Sequence, residues 1–192
     1  MKILSICGSP RKGNSESILN KLKEIFEKKG VENEIILLRE KNIQLCDGCV
    51  EYCNKELKCK KSDDMNEIME KIKNVDGYVF ISPNYFKMPT GLFKNFIDRS
   101  SIFYTKTWKT KKNDLEDKKA IVIVVGTDDE SGIDVCLNNM VDNFCNTLGI
   151  EVVDKKSFKS HSELKENYND IFEGVNPGII ERLESMVNKI CT

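Results

Sequence analysis

The sequence predicts an α/β fold in which a five-stranded parallel sheet, in the order 2-1-3-4-5, carries helices on both faces. Three observations predict it. Strand-like and helix-like runs alternate from one end of the chain to the other. The strand candidates are almost continuously apolar, above all KKAIVIVVG, as parallel strands buried on both faces must be. The turn after the first strand is short, contains glycine and opens straight into a helix.

Each element can be justified in turn. KILSIC is the first strand, GSPRKGN a turn, and SESILNKLKEIFEKKG a helix with Ile18, Leu22, Ile25 and Phe26 on one face and Gly30 as its stop. Residues 32–38 form the second strand, and residues 39–62 a charged, cysteine-rich excursion. DDMNEIMEKIKNV starts on Asp63 or Asp64 as a cap and buries Met65, Ile68, Met69 and Ile72. DGYVFIS is the third strand, followed by the loop PNYFKMPT between Pro83 and Pro89 and by the helix GLFKNFIDRSSIFY. Residues 105–118 read as a polar surface excursion holding Trp108. KKAIVIVVG is the fourth strand, GTDDESG a turn, and IDVCLNNMVDNFCNTLG a helix that buries Ile133, Leu137, Met140, Val141, Phe144 and Leu148. EVVDKKSF is the fifth strand, and the tail breaks at Pro177 before a last amphipathic helix.

Composition narrows the function classes. A chain of 192 residues, 40% apolar, can bury one sizeable core, so residues 1–192 are expected to form a single domain. Lys and Arg number 30 against 31 Asp and Glu, a net charge of -1, which leaves no basic field for nucleic acid and little attraction to anionic lipid. No apolar run is long enough for a signal peptide or a membrane span, so a cytoplasmic location is expected. With no export signal, the 8 cysteines are expected as reduced thiols or metal ligands rather than disulfides.

The first turn carries the clearest chemistry. Gly8 and Gly13 let backbone approach a ligand, Ser9, Asn14 and Ser15 offer small polar groups, Arg11 offers a positive fork, and the helix behind them offers free amides to an anion. Ser9 or Ser15 as a plain helix cap, with Arg11 solvated, is the structural alternative. The turn lacks both the GxxxxGK[ST] pattern of a nucleoside triphosphatase and the GxGxxG of a dinucleotide site. In the order 2-1-3-4-5 the ends of strands one and three meet at a topological switch, where FMN, with one terminal phosphate and a planar ring, can use both loops.

GSPRKGNS at 8–15, DDM at 63–65, SPNYFKMPTGLFKNFIDR at 82–99 and the placing of the cysteine cluster together resemble the NADPH-dependent FMN reductase family, in particular its iron-sulfur flavoprotein branch. The resemblance implies a flavodoxin-like three-layer sandwich that binds FMN. It places Ser9, Arg11, Asn14 and Ser15 at the phosphate and ribityl chain, Pro83, Asn84, Tyr85 and Phe86 around the ring, and Gly126 at the next strand-end loop. It further implies NAD(P)H as an electron donor and a homodimer or homotetramer.

Cys46, Cys49, Cys53 and Cys59 follow the spacing x2, x3, x5, whereas the resembling branch uses x2, x2 and a longer gap, so this chain has one residue inserted before Cys53. Four thiolates suit a 4Fe-4S cluster. They also suit tetrahedral zinc, or remain free as redox thiols with Cys46 and Cys49 as the exchanging pair. Asp63, Asp64, Asp128, Asp129 and Glu130 are expected to cap helices and face solvent in turns, and His161 to make local hydrogen bonds. Lys87 can bias the flavin or be merely solvated, and Trp108 is expected in packing or an interface.

The expected function is FMN-dependent oxidoreduction, with electrons passing between FMN and a 4Fe-4S cluster on the four cysteines. One alternative is an NAD(P)H-dependent quinone or small-aromatic reductase using FMN alone. Another is an electron carrier that docks to a redox protein.

Overall fold

The computed structural model describes residues 1–160, 170–172 and 178–192; His161 and Pro177 lie outside the described residues. In chain order the elements are β1 (Lys2–Cys7), α1 (Asn14–Lys28), β2 (Glu32–Leu37), α2 (Val50–Glu56), α3 (Asp64–Lys73), β3 (Gly77–Tyr85), β4 (Met88–Pro89), α4 (Gly91–Thr110), β5 (Lys119–Gly126), α5 (Glu130–Met140), β6 (Glu151–Lys159) and α6 (Ile179–Ile190). The long strands pair in parallel in the order β2-β1-β3-β5-β6, which is the predicted order. β4 is a two-residue addition that folds back antiparallel on the end of β3.

Two apolar clusters explain the layers. On one face α1 and α6 cover the sheet through Ile18, Leu22, Phe26, Leu183, Met186 and Ile190. On the other, α3, α4 and α5 bring Met65, Ile68, Phe93, Phe96, Ile133 and Leu137 onto Tyr78, Phe80 and Val122. Aromatic rings fill the middle of this second face, with Phe80 5.2 Å from Phe144 and 5.3 Å from Tyr78 between ring centres. Each fully buried ring or aliphatic side chain contributes roughly 1.5–3 kcal/mol, so the alternating helix faces read from sequence are the main source of the sandwich's stability.

Capping residues set where the helices begin. Asp63 accepts from Met65 N while Asn66 returns a bond to the Asp63 amide, a capping box on α3. Asp129 Oδ1 accepts from Gly132 N at 2.7 Å at the start of α5. Both acidic residues thus serve the capping role expected for them.

Three elements differ from the sequence reading. α4 runs on to Thr110, so Trp108 sits exposed on a helix rather than in a loop. Its last turns have one solvated side and show little apolar period, which hides them from pattern reading. The cysteine-rich excursion contains α2, whose seven residues bury no side chain and so leave no periodic trace. The helix expected to run through residues 133–149 breaks after Met140 into a π turn, Val141–Cys145, and a 3₁₀ turn, Asn146–Leu148, before Gly149 ends it at φ 73°.

Candidate functional site

The C-terminal ends of β1, β3 and β5 open on a cleft of about 260 Å³ lined by Ser9, Arg11, Gly13, Asn14, Ser15, Pro83, Asn84, Tyr85, Val125, Gly126, Thr127 and Ser160. Parallel pairing puts it there. Cys7 lies beside Ile81 and Pro83 beside Val125, so the loops that follow the three strands leave the sheet side by side.

Close packing fixes the backbone around the cleft. A Cβ on Gly8 would stand 2.6 Å from Phe93 Cβ, so only glycine lets the β1 turn lie against α4. The Gly8 amide donates to Ile81 O at 2.8 Å and its carbonyl accepts from Thr90 Oγ1 at 2.5 Å. Thr90 in turn caps α4 by accepting from Phe93 N, and its own amide donates to Ser82 Oγ. A Cβ on Gly126 would meet Asn84 Cβ and Ile133 Cγ1 at 3.0 Å each, which binds the β5 loop to the β3 loop.

Polar groups line the floor. Ser9 Oγ donates to Arg11 O at 2.7 Å and organises the turn. α1 begins at Asn14, so the end of a helix that favours an anion through its amides and its dipole lies at the cleft. Asn14 Oδ1 accepts from Ile171 N at 3.0 Å. Asn84 Oδ1 is buried and accepts no hydrogen bond, an acceptor suited to a ligand's N–H.

The rim is a tight hairpin. Tyr85 pairs with Met88, and between them Phe86 and Lys87 both take positive φ, 51° and 63°. This conformation favours glycine or asparagine and strains a phenylalanine and a lysine. Asn139 steadies it by donating to Lys87 O at 3.2 Å.

Of the residues expected at the cofactor, Ser9, Arg11, Asn14, Ser15, Pro83, Asn84, Tyr85 and Gly126 all line this cleft. Phe86 does not; its side chain stands in solvent at the hairpin tip. Gly13, Val125, Thr127 and Ser160 also line it. Ser160 follows β6 and is drawn in by its amide, which donates to Gly126 O at 2.7 Å. Its only sequence signal is its place just past the fifth strand.

The cysteine excursion is held by one buried ion pair. Arg99 Nη1 and Nη2 donate to Asp63 Oδ2 and Oδ1 at 2.7 and 3.0 Å, with both side chains essentially inaccessible. Arg99 also donates to Gln44 O, while Gln44 N donates to Asp63 and Asn42 N to Asp64. Burial pushes the Asp63 carboxyl up, and the Arg99 guanidinium with the Gln44 and Met65 amides outweighs it, leaving the group below the usual carboxylate range.

Cys46 opens on a groove with Ile97, Tyr104 and Phe144, whereas Cys59 opens on a separate pocket with Asn66, Met69 and Phe103. Cys49 and Cys53 approach each other, Sγ to Sγ 3.7 Å. Burial, then the thiols of Cys49, Cys59 and Cys46, push Cys53 up to about 11. Among the described residues, no group of three or more His, Cys, Asp or Glu side chains is placed to hold a metal ion.

Comparison with known proteins agrees with the fold. An iron-sulfur flavoprotein of Archaeoglobus fulgidus is 42% identical over 100 residues, 52% of this chain and 49% of that protein. A second iron-sulfur flavoprotein of the same organism is 28% identical over 173 residues, 90% of this chain and 86% of that protein. With the first curated relatives the chain shares a segment spanning only about half their length, 49% and 52%. Among solved structures, the NAD(P)H:quinone oxidoreductase of Methanothermobacter marburgensis superposes with a TM-score of 0.73 at 18% identity, covering 96% of this chain and 93% of that one. RosB superposes with a TM-score of 0.78 at 18% identity, covering 99% and 77%. Residues 1–164 match the family described as NADPH-dependent FMN reductase, and with its flavodoxin-like sandwich and strand-end cleft the chain belongs to that family.

Proposed function

We propose that the chain is an FMN-dependent oxidoreductase that moves electrons between a reduced nicotinamide and a small planar acceptor of the quinone type, with FMN held in the cleft at the ends of β1, β3 and β5. The observation that carries this reading is the convergence there of the N-terminus of α1, Arg11 and the buried Asn84 Oδ1, which has no hydrogen-bond partner among the described residues. FMN, when bound, supplies a ring that accepts a hydride and returns electrons one or two at a time.

The protein's part is placement. Arg11, Ser9, Ser15 and the first amides of α1 hold the phosphate; Asn84 and the backbone of Pro83 and Tyr85 meet the polar edge of the ring; Gly126 and Thr127 close the far side. Tyr85 and Met88 are partly exposed and Phe86 fully so around the rim, leaving one side open to a nicotinamide, an acceptor or a neighbouring chain. Assembly into two or four copies belongs to this reading, and sedimentation at equilibrium tests it. Among the described residues no helix is long and apolar enough to cross a membrane.

Reduction of the FMN-loaded chain under anaerobic conditions tests the activity. NADPH or NADH should bleach the flavin's visible bands, and a quinone should restore them. Bands that persist with both nicotinamides remove the donor from the reading, and failure of every quinone to restore them removes the acceptor and favours a carrier that docks to a redox protein.

The second reading adds a 4Fe-4S cluster on Cys46, Cys49, Cys53 and Cys59. What favours it is the name carried by the curated relatives and the nearness of all four thiols within one excursion. That no group of three or more His, Cys, Asp or Glu side chains is placed to hold a metal ion among the described residues favours FMN alone.

A further inference from the structure

Glu16 stands in the first turn of α1, the turn whose amides face the cleft, and it is the acidic residue of that turn. A carboxylate there suits an empty helix N-terminus but opposes an incoming dianion. Its oxygen Oε2 lies 2.8 Å from Arg39 Nη2, and both side chains are largely buried, at 13% and 19% exposure for Arg39 and Glu16. Arg39 follows β2, the strand beside β1, so the sheet order itself brings it behind the turn. Its other nitrogen, Nη1, lies 3.5 Å from Arg11 O, the same carbonyl that Ser9 Oγ holds.

We infer that Arg39 is a positioning residue for a phosphate-bearing cofactor: it cancels the Glu16 charge and turns the Arg11 carbonyl back into the protein, so that the β1 turn presents N–H groups and positive charge to the cleft. The inference rests on the reading of the cleft as an FMN site. Arg39 need not touch the ligand. Removing it would leave a half-buried carboxylate facing a dianion across one helical turn, with a carbonyl released to swing toward the same anion.

Riboflavin is FMN without its phosphate, so it separates charge from packing. Titration of the cofactor-free chain with each flavin, followed by fluorescence, should show Arg39→Met weakening FMN by about tenfold while leaving riboflavin unchanged. Arg39→Lys should keep most of the FMN affinity, and the double variant Arg39→Met with Glu16→Gln should recover the part lost to the uncancelled charge, the remainder being the share of the Arg11 carbonyl. Equal FMN affinity in Arg39→Met and the unmodified chain would overturn the inference. So would parallel loss of both flavins that Glu16→Gln does not restore, which marks a packing role. If the unmodified chain takes up no FMN, it is the reading of the cleft that fails, and this inference with it.

Discussion

The cleft and the cysteine excursion are both irregular segments rich in chemistry, yet they are held by different physics. At the cleft, three parallel strands end side by side and the backbone does most of the positioning: Gly8 against Phe93, Gly126 against Asn84, Thr90 joining the β1 turn to α4. The excursion hangs on side chains, chiefly one buried carboxylate that pairs with Arg99, caps α3 and accepts from Gln44. A site fixed by sheet register is already shaped for its ligand, whereas the excursion depends on a few side-chain bonds, the Asp63–Arg99 pair and Asn95 to Ile43 O among them.

Breaking that pair has the largest expected effect. Asp63→Ala strands a buried guanidinium and should cost roughly 3–5 kcal/mol of stability, read from denaturant unfolding. Proteolysis should then cut first within residues 42–62. The pair also sets a pH dependence. Because the folded Asp63 carboxyl lies below its ordinary value, its contribution is complete above about pH 4 and is lost as pH falls through the folded value. Protection of amides in the excursion, taken relative to the intrinsic exchange rate at each pH, should therefore fall at acid pH, and Asp63→Asn should abolish that step.

The cleft is challenged by charge. Arg11→Ala should raise the FMN dissociation constant by roughly 10- to 100-fold, the worth of a hydrogen bond to a charged group, measured by fluorescence titration. Asn84→Ala should have a smaller effect, about 1 kcal/mol on flavin affinity. Smallest is the hairpin tip. Replacing Lys87 by glycine relieves a positive φ of 63° and should raise the stability of the cofactor-free chain by about 0.5–1 kcal/mol, seen as a higher melting temperature.

The same contrast explains what the sequence makes legible. Strand order, helix faces and the cleft follow from local patterns, because GSPRKGNS and SPNYF each sit just past a strand that register brings to its neighbour. Ser160 and the pairing of Arg39 with Glu16 depend on which strands lie adjacent, and no local period announces them. Phe86 shows the limit of motif reasoning. It sits in the expected loop, but the two-residue hairpin turns its side chain outward. The spacing of the four cysteines likewise hides α2, which places Cys49 and Cys53 on successive turns.

On the reading proposed above, the strand-end cleft takes FMN independently of the cysteines. Anaerobic purification and reconstitution with FMN, iron and sulfide, followed by counting each per chain, tests it directly for the native sequence and for Cys46→Ser with Cys59→Ser. One FMN per chain is expected in both, with no stoichiometric iron or acid-labile sulfide. A chain that takes up no FMN, or that loses FMN when the two cysteines are replaced, would contradict it.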